Sequence, residues 1–200
     1  MKPGILWKKV VTTFYRRMVV VTKDVDSSLP LQAPLIDASI FPLSAAQFDD
    51  YFVFRPGERR DEIGKRIAAG HLCFAAWHHG RIVHAGWSAR GRAHIPYIHR
   101  DVLLGPEDFY IYDSFTLPDF RRSNLVVARS AAMHSYYGEL GFKRSYGVVA
   151  FMNRGGMAVL DPSGYRQIGM YGCIRIGPVH HTWEYPGAVE RLPTLVPHEA

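Results

Sequence analysis

One stretch constrains this chain more than any other: Phe109 to Gly141, FYIYDSFTLPDFRRSNLVVARSAAMHSYYGELG. Its first seven residues are aromatic-rich around Ile111 and suit a pleated, buried strand. Pro118 stops that strand, and Asp119 to Asn124 forms a polar turn with Ser123 or Asn124 placed as the N-cap of a helix. Leu125, Ala128, Ala132, Tyr136 and Leu140 then recur at helical spacing, and Gly141 supplies the stop. A strand that feeds a turn opening a helix leaves free backbone N–H groups and the positive dipole end at the strand's carboxyl edge, which is an anion site. Arg121 and Arg122 lie inside the turn and add charge. The stretch predicts a site for a phosphate-bearing ligand.

At 200 residues the chain is read as a single domain, with a core over 15–176 and a tail over 177–200. The net charge of +6 is spread without long runs. It favours anionic ligands in general and gives no sign of nucleic-acid binding. Cys73 and Cys173 each sit in an apolar run, as expected for reduced core thiols of a cytoplasmic protein. Residues 5–22 are apolar, but Lys8, Lys9, Arg16 and Arg17 interrupt them. They cannot span a bilayer. They read as a short surface helix followed by a strand at Met18 to Thr22, with peripheral membrane contact as the alternative.

Along the chain, helices are expected over Ser44–Phe54 and Glu58–Ala69. Strands come next over His71–Trp77 and Arg81–Trp87, joined by a tight turn at His79-Gly80. Ser88 to Asp108 reads as a loop. After the central strand–turn–helix come a strand over Ser145–Met152, a short helix from Arg154 and a strand over Tyr165–Ile176. Hairpins first and crossovers later predict an α/β protein: a mixed central sheet of about six or seven strands with helices on both faces.

This order resembles the GNAT acyltransferase superfamily. The family's motif is a strand ending in Pro, then Arg/Gln-x-x-Gly-x-Gly/Ala opening a helix. Leu117-Pro118-Asp119-Phe120-Arg121-Arg122-Ser123-Asn124-Leu125-Val126 stands in that place. Asn153 followed by Gly164-Tyr165 matches a second family feature. Weaker likenesses are Arg66 with Gly70-His71, Gly86-Trp87 and Tyr110 to Asp113. The resemblance implies that the backbone N–H groups of Arg121, Arg122, Ser123, Asn124, Leu125 and Val126 bind the coenzyme A pyrophosphate. It also implies that Phe115, Thr116 and Leu117 offer a strand edge to the pantetheine arm, and that Asn153 contacts the same arm or caps its helix. The chain departs from the pattern where Asn124 and Val126 replace glycine or alanine. Leu160 stands where many members carry a Tyr that protonates the leaving thiolate.

Asp113 is the candidate general base: strict alternation places it with Phe109, Ile111 and Phe115 on one face of the strand, and a carboxylate there must be paired or used. The alternative is a structural Asp bonded to a neighbouring Arg. Trp87 and Tyr112 are candidates to line an acceptor pocket. No metal site is read: His78-His79, His180-His181, His94 and His99 lack a Cys partner or the i, i+4 helical spacing of a familiar site, and adjacent histidines on a strand point to opposite faces. The expected activity is acyl transfer from acetyl-CoA or another acyl-CoA to a small-molecule amine. The alternatives are an acyl-carrier-protein-dependent enzyme and a non-catalytic binding module of the same fold.

Overall fold

The computed structural model of the chain describes residues 15–25, 33–176 and 179–198. Two sheets organise it. The large sheet is built from β1 (Tyr15–Asp24), β2 (Ser39–Pro42), β3 (Leu72–His78), β4 (Arg81–Arg90), β7 (Asp108–Thr116), β8 (Arg144–Ala150), β9 (Arg166–Ile176) and β10 (Val179–Glu184), in the order β10-β9-β1-β8-β7-β4-β3-β2. The small sheet has the order β11-β6-β5, from β5 (Arg92–Ile95), β6 (Arg100–Leu103) and β11 (Thr194–Pro197). The helices are α1 (Phe48–Phe54), α2 (Arg60–Ala68), α3 (Leu125–Glu139) and α4 (Arg154–Ala158).

The strands obey the residues that build them. Met18 to Val21 are all buried, because β1 lies between β8 and β9 and is covered on both faces. β4 is buried from Ile82 to Ala89 for the same reason. The β3–β4 turn has His79 at φ 47° and Gly80 at φ 75°, the left-handed pair that matches hairpin twist. Ser44 closes a capping box with Gln47 ahead of α1. At the end of α3, Gly141 turns left-handed at φ 85°, and the Phe142 N–H donates to the Tyr137 carbonyl, 3.0 Å.

One face of the large sheet carries α3. Phe109 stacks on Tyr137 at 4.0 Å, and Phe74 meets Tyr136 edge-on. The other face carries α1, α2 and the small sheet. Tyr51, Phe54 and Ile63 pack there on Cys73, Ala75 and Trp87, while Ile95, Ile98 and Val102 pack on Met18, Val20 and Tyr171.

The sheet is wider than six or seven strands. β2 has no strong alternation and looks like loop in the sequence. The stretch from Ser88 to Asp108 is not a loop: β4 runs on to Arg90, and β5 and β6 form a hairpin. Within the stretch expected as a tail, residues 179–184 and 194–197 form β10 and β11. These strands are short or polar outside, so their pairing is set by the surface they cover. β1 starts at Tyr15; the surface helix and membrane contact expected from residue 5 onward lie, through residue 14, outside the described residues. No helix among the described residues is long and apolar enough to cross a membrane.

Candidate functional site

The central strands part at one place. β7 and β8 are parallel and pair only from Asp108 with Arg144 to Ile111 with Gly147. Beyond Ile111 they have no bonds to each other, which opens a wedge in the middle of the sheet. Val148, Val149 and Ala150 are accordingly only half-buried in a central strand. On its other side β7 pairs with β4, but with an irregularity: Tyr112 faces Trp87 and Phe115 faces Ala85, so Asp113 and Ser114 together oppose Gly86. Asp113 takes φ 47° to allow this. It is a bulge, and it breaks strict alternation. Phe109 lies against α3, whereas Phe115 lies edge-on to Phe54 of α1, 5.5 Å away on the opposite face. The single-face grouping of Phe109, Ile111, Asp113 and Phe115 is therefore corrected.

The strand edge also differs from the expectation. The Leu117 N–H donates to the Val83 carbonyl, 3.0 Å, so it is turned toward β4. By antiparallel alternation Phe115 also faces β4, and Thr116, opposite His84, directs its main-chain groups away from it toward the wedge.

Past Pro118 the chain makes a 3-10 turn through Phe120 and enters α3 with Arg122 at φ 68° and Asn124 at φ 60°. Asn124 thus holds the left-handed conformation that the resemblance assigns to a glycine, and Asn tolerates it better than most residues. Its side chain does not cap the helix; Nδ2 donates to the Ala33 carbonyl, 3.0 Å. The Arg121 N–H is taken by Pro118, 3.3 Å. Among the described residues, the N–H groups of Arg122, Ser123, Asn124, Leu125 and Val126 have no protein acceptor. Among the described residues the nest is therefore unfilled, and it is one residue shorter than the resemblance implies. Arg121 and Arg122 are exposed beside it, Leu125 is buried, and Val126 is half-buried. Asn153 caps α4: its Oδ1 accepts from the Gly156 N–H, 3.0 Å. Leu160 is half-buried beyond α4.

On the α1–α2 face, Asp113 is held between two arginines. Arg66 Nη1 lies 2.6 Å from Oδ2 and Arg55 Nη1 3.4 Å from Oδ1, and Arg55 also pairs with Glu58. Arg66 sits over the rings of Trp87 and Tyr112, and Arg55 over Phe115. Trp87 itself has no exposed surface, and its Nε1–H donates to Tyr51 Oη, 3.0 Å. Of the two aromatic candidates only Tyr112, half-buried and 2.6 Å from His71 Nδ1, has surface to offer. Burial and the Arg66 charge hold His71 below its ordinary pKa.

The α3 face holds a group that sequence reasoning misses. Arg129, on the buried side of α3, is 2% exposed. Its Nε donates to His84 Nε2 (3.2 Å), Nη1 to Met133 Sδ (3.1 Å) and Nη2 to Ser114 Oγ (3.2 Å). No carboxylate among the described residues pairs with it. Burial lowers its pKa. Gly86 makes room: a Cβ there would lie 2.8 Å from Arg129 Cζ. His84 Nδ1 lies 2.8 Å from Thr116 Oγ1. The only sequence signal is Gly86, whose Gly-Trp pair has no local reason to exist.

A second cluster joins distant segments on the small sheet. Asp101 Oδ1 accepts from His94 Nδ1 (2.8 Å) and His198 Nδ1 (2.7 Å), and Oδ2 from Arg92 Nε (2.6 Å). The candidate ligand atoms of His94, Asp101 and His198 lie within 4.8 Å of one another. No sequence spacing announces this group. It ties β11 to the β5–β6 hairpin. The His78 and His79 rings, expected on opposite faces, are 4.0 Å apart because His79 is in the turn.

No protein-family model matches the chain, and no curated protein is similar to it. Solved structures are. A GCN5-related N-acetyltransferase from Sphaerobacter thermophilus superposes with TM-score 0.55 at 14% identity, covering 90% of this chain and 56% of its own. One from Kribbella flavida gives TM-score 0.54 at 13% identity, with 92% and 65% covered. The aminoglycoside acetyltransferase AAC(6')-Iy, in complex with a bisubstrate analogue of coenzyme A, gives TM-score 0.50 at 13% identity, with 64% and 89% covered. The chain thus spans less than two thirds of the length of the first two. Its fold is that of the GNAT superfamily: a mixed sheet whose two central parallel strands splay beside the N-terminus of a long helix.

Proposed function

We propose that the protein is an acyl-CoA-dependent N-acyltransferase acting on a small-molecule amine. The observation that carries this reading is the nest from Arg122 to Val126 at the head of α3, whose N–H groups have no acceptor among the described residues, directly beyond the strand that borders the wedge. Unpaired N–H groups at a helix N-terminus favour a pyrophosphate, and the two exposed arginines add to the field. In that setting Thr116 offers its edge to the pantetheine amides. Asn153, whose Oδ1 is occupied, has its Nδ2 to give to the same arm. Acetyl-CoA or a longer acyl-CoA supplies the activated thioester: the amine nitrogen bonds to the carbonyl carbon, the carbon–sulfur bond breaks with its electron pair on sulfur, and the amine gives up one proton. Aminoglycoside acetyltransferases among the similar structures support an amine acceptor of small size.

In this reading the acceptor enters over α1 and α2, between Tyr112 and the Asp113 cluster. Both Asp113 oxygens face guanidinium groups, so its proposed part is to hold Arg55 and Arg66 at the mouth, and the attacking amine gives its proton to water.

The test is thermal unfolding with acetyl-CoA, a long-chain acyl-CoA and acyl carrier protein. A ligand at 100 times its Kd adds about 2.7 kcal/mol. A shift with acyl-CoA is expected, and it should shrink in Arg121→Ala/Arg122→Ala. A shift with acyl carrier protein alone would move the donor to that carrier, and no shift with any would leave a non-catalytic module.

A further inference from the structure

We propose that the Ser114 and Thr116 hydroxyls form a donor pair, set by Arg129 and His84, that receives the sulfur anion leaving the acyl donor. The inference rests on the acyltransferase reading and names the group that replaces the missing family Tyr.

Among the described residues Arg129 is a buried guanidinium without a carboxylate partner, which is costly unless its hydrogen bonds are used. Here the fold makes space for it by leaving position 86 without a side chain. Its bonds show what it does. Arg129 Nη2–H occupies a lone pair of Ser114 Oγ. Arg129 Nε–H occupies His84 Nε2. His84 is neutral, because burial and the adjacent Arg129 charge hold its pKa well below the ordinary value. A neutral imidazole that accepts at Nε2 carries its proton at Nδ1, so it donates to Thr116 Oγ1. Both hydroxyl oxygens are thereby fixed as acceptors toward the protein. Their own protons have no acceptor among the described residues. They are left to donate outward, backed by a positive charge whose other titratable neighbours are Cys73, Tyr165 and His134; Cys73 and Tyr165 are neutral as buried groups with raised pKa values, and His134 is neutral because burial lowers its own.

Position then selects the ligand atom. Ser114 and Thr116 are two apart on β7, in the part with no bonds to β8. Ser114 is exposed and Thr116 half-buried. Both are on the α3 face, the side of the nest and hence of the donor's arm. The thioester sulfur ends that arm, so as the carbon–sulfur bond breaks the sulfur stays on the side where these hydroxyls are.

The experiment is calorimetric binding of coenzyme A and of desulfo-coenzyme A between pH 6.5 and 9. Thiolate binding makes coenzyme A affinity rise with pH, and desulfo-coenzyme A is the control for every other titration. Coenzyme A should gain at least tenfold in affinity relative to the desulfo compound across this range. Ser114→Ala/Thr116→Val, which leaves Arg129 and the fold in place, should abolish the gain, and Arg129→Met should reduce it. Equal pH dependence for the two ligands, or a gain that survives in the double variant, overturns the proposal while leaving the acyltransferase reading intact. Failure of both ligands to bind the native protein overturns that reading, and this proposal with it.

Discussion

The two faces of the sheet beside the bulge treat charge in opposite ways. On the α1–α2 face, Asp113, Arg55, Arg66 and Glu58 neutralise one another, and each keeps roughly a fifth to a quarter of its side chain in solvent. On the α3 face, Arg129 is buried without a counter-ion among the described residues, next to a polar core of His84, Ser130, His134 and Ser145. Both arrangements hang on the same two-residue irregularity opposite Gly86, only a strand's thickness apart. The two faces put their polarity to different uses. Pairs in partial contact with water organise a surface, while an unpaired buried cation sets the direction of every hydrogen bond around it.

The largest expected consequence is acid sensitivity on the α3 face. Burial is the main cause that lowers His134 from 6.5 to about 4, with the Lys23 and Arg129 charges adding to it, against the Ser130 carbonyl, 2.7 Å from Nδ1. The folded state therefore binds its proton at lower pH than the unfolded chain. Stability is fully present above pH 6.5 and falls as pH drops from there toward 4, by about 1.4 kcal/mol per unit, or about 3 kcal/mol in all. His84 adds to the slope in the same direction. Denaturant unfolding at pH 7 and at pH 4.5 checks this. His134→Gln should flatten the slope by about one proton, whatever its own baseline. An unchanged slope would mean that the α3 face is no more sensitive than its partner.

Next in size is the packing that admits Arg129. In Gly86→Ala the new methyl meets Cζ at 2.8 Å and Nε at 3.0 Å, so a guanidinium wedged between helix and sheet must move. A loss of about 1–3 kcal/mol is expected, as for other overpacked cores. In an Arg129→Met background the flexible thioether can yield, and the loss should fall well below that of the single change. Equal losses in both backgrounds would detach Gly86 from Arg129.

The parts legible in the sequence are those in which local pattern and tertiary role agree. The strand–turn–helix at 109–141, the β3–β4 hairpin and the valines of β1 are marked by aromatic or β-branched runs and by Pro, Asn and Gly at the breaks. Asn124 is readable as the left-handed position because few other residues tolerate it. The buried side of α3 is not legible: its apparent apolar stripe includes Leu140, which is 54% exposed, while Arg129, Ser130 and His134 are buried. Polar residues in a helix core look like a solvated face until their partners are known, and the partners outside the helix lie 11 to 45 residues away. The bulge at Asp113 is equally hidden, since nothing in Tyr112-Asp113-Ser114 distinguishes a bulge from regular pleating. β5, β6 and β11 are held by cross-chain pairs such as Asp101 with His198, and spacing along the chain carries no trace of them.

The smallest expected effect on stability belongs to the paired face. In Asp113→Asn the side chain keeps its size and can still accept a bond from Arg66, while Arg55 retains Glu58. With these groups in contact with water, the loss should stay within about 1 kcal/mol. Its effect on rate is the sharper measurement. A general base contributes about 10²–10⁴-fold, whereas an anchor for two arginines acts through binding of the acceptor. Steady-state kinetics on an accepted amine should therefore show a raised KM with kcat down by less than about tenfold. A fall of about 10²-fold or more in kcat, with the pH profile losing its acidic limb, would return Asp113 to the role of base. It would also show that the neutralised face, and not the cationic one, carries the proton chemistry.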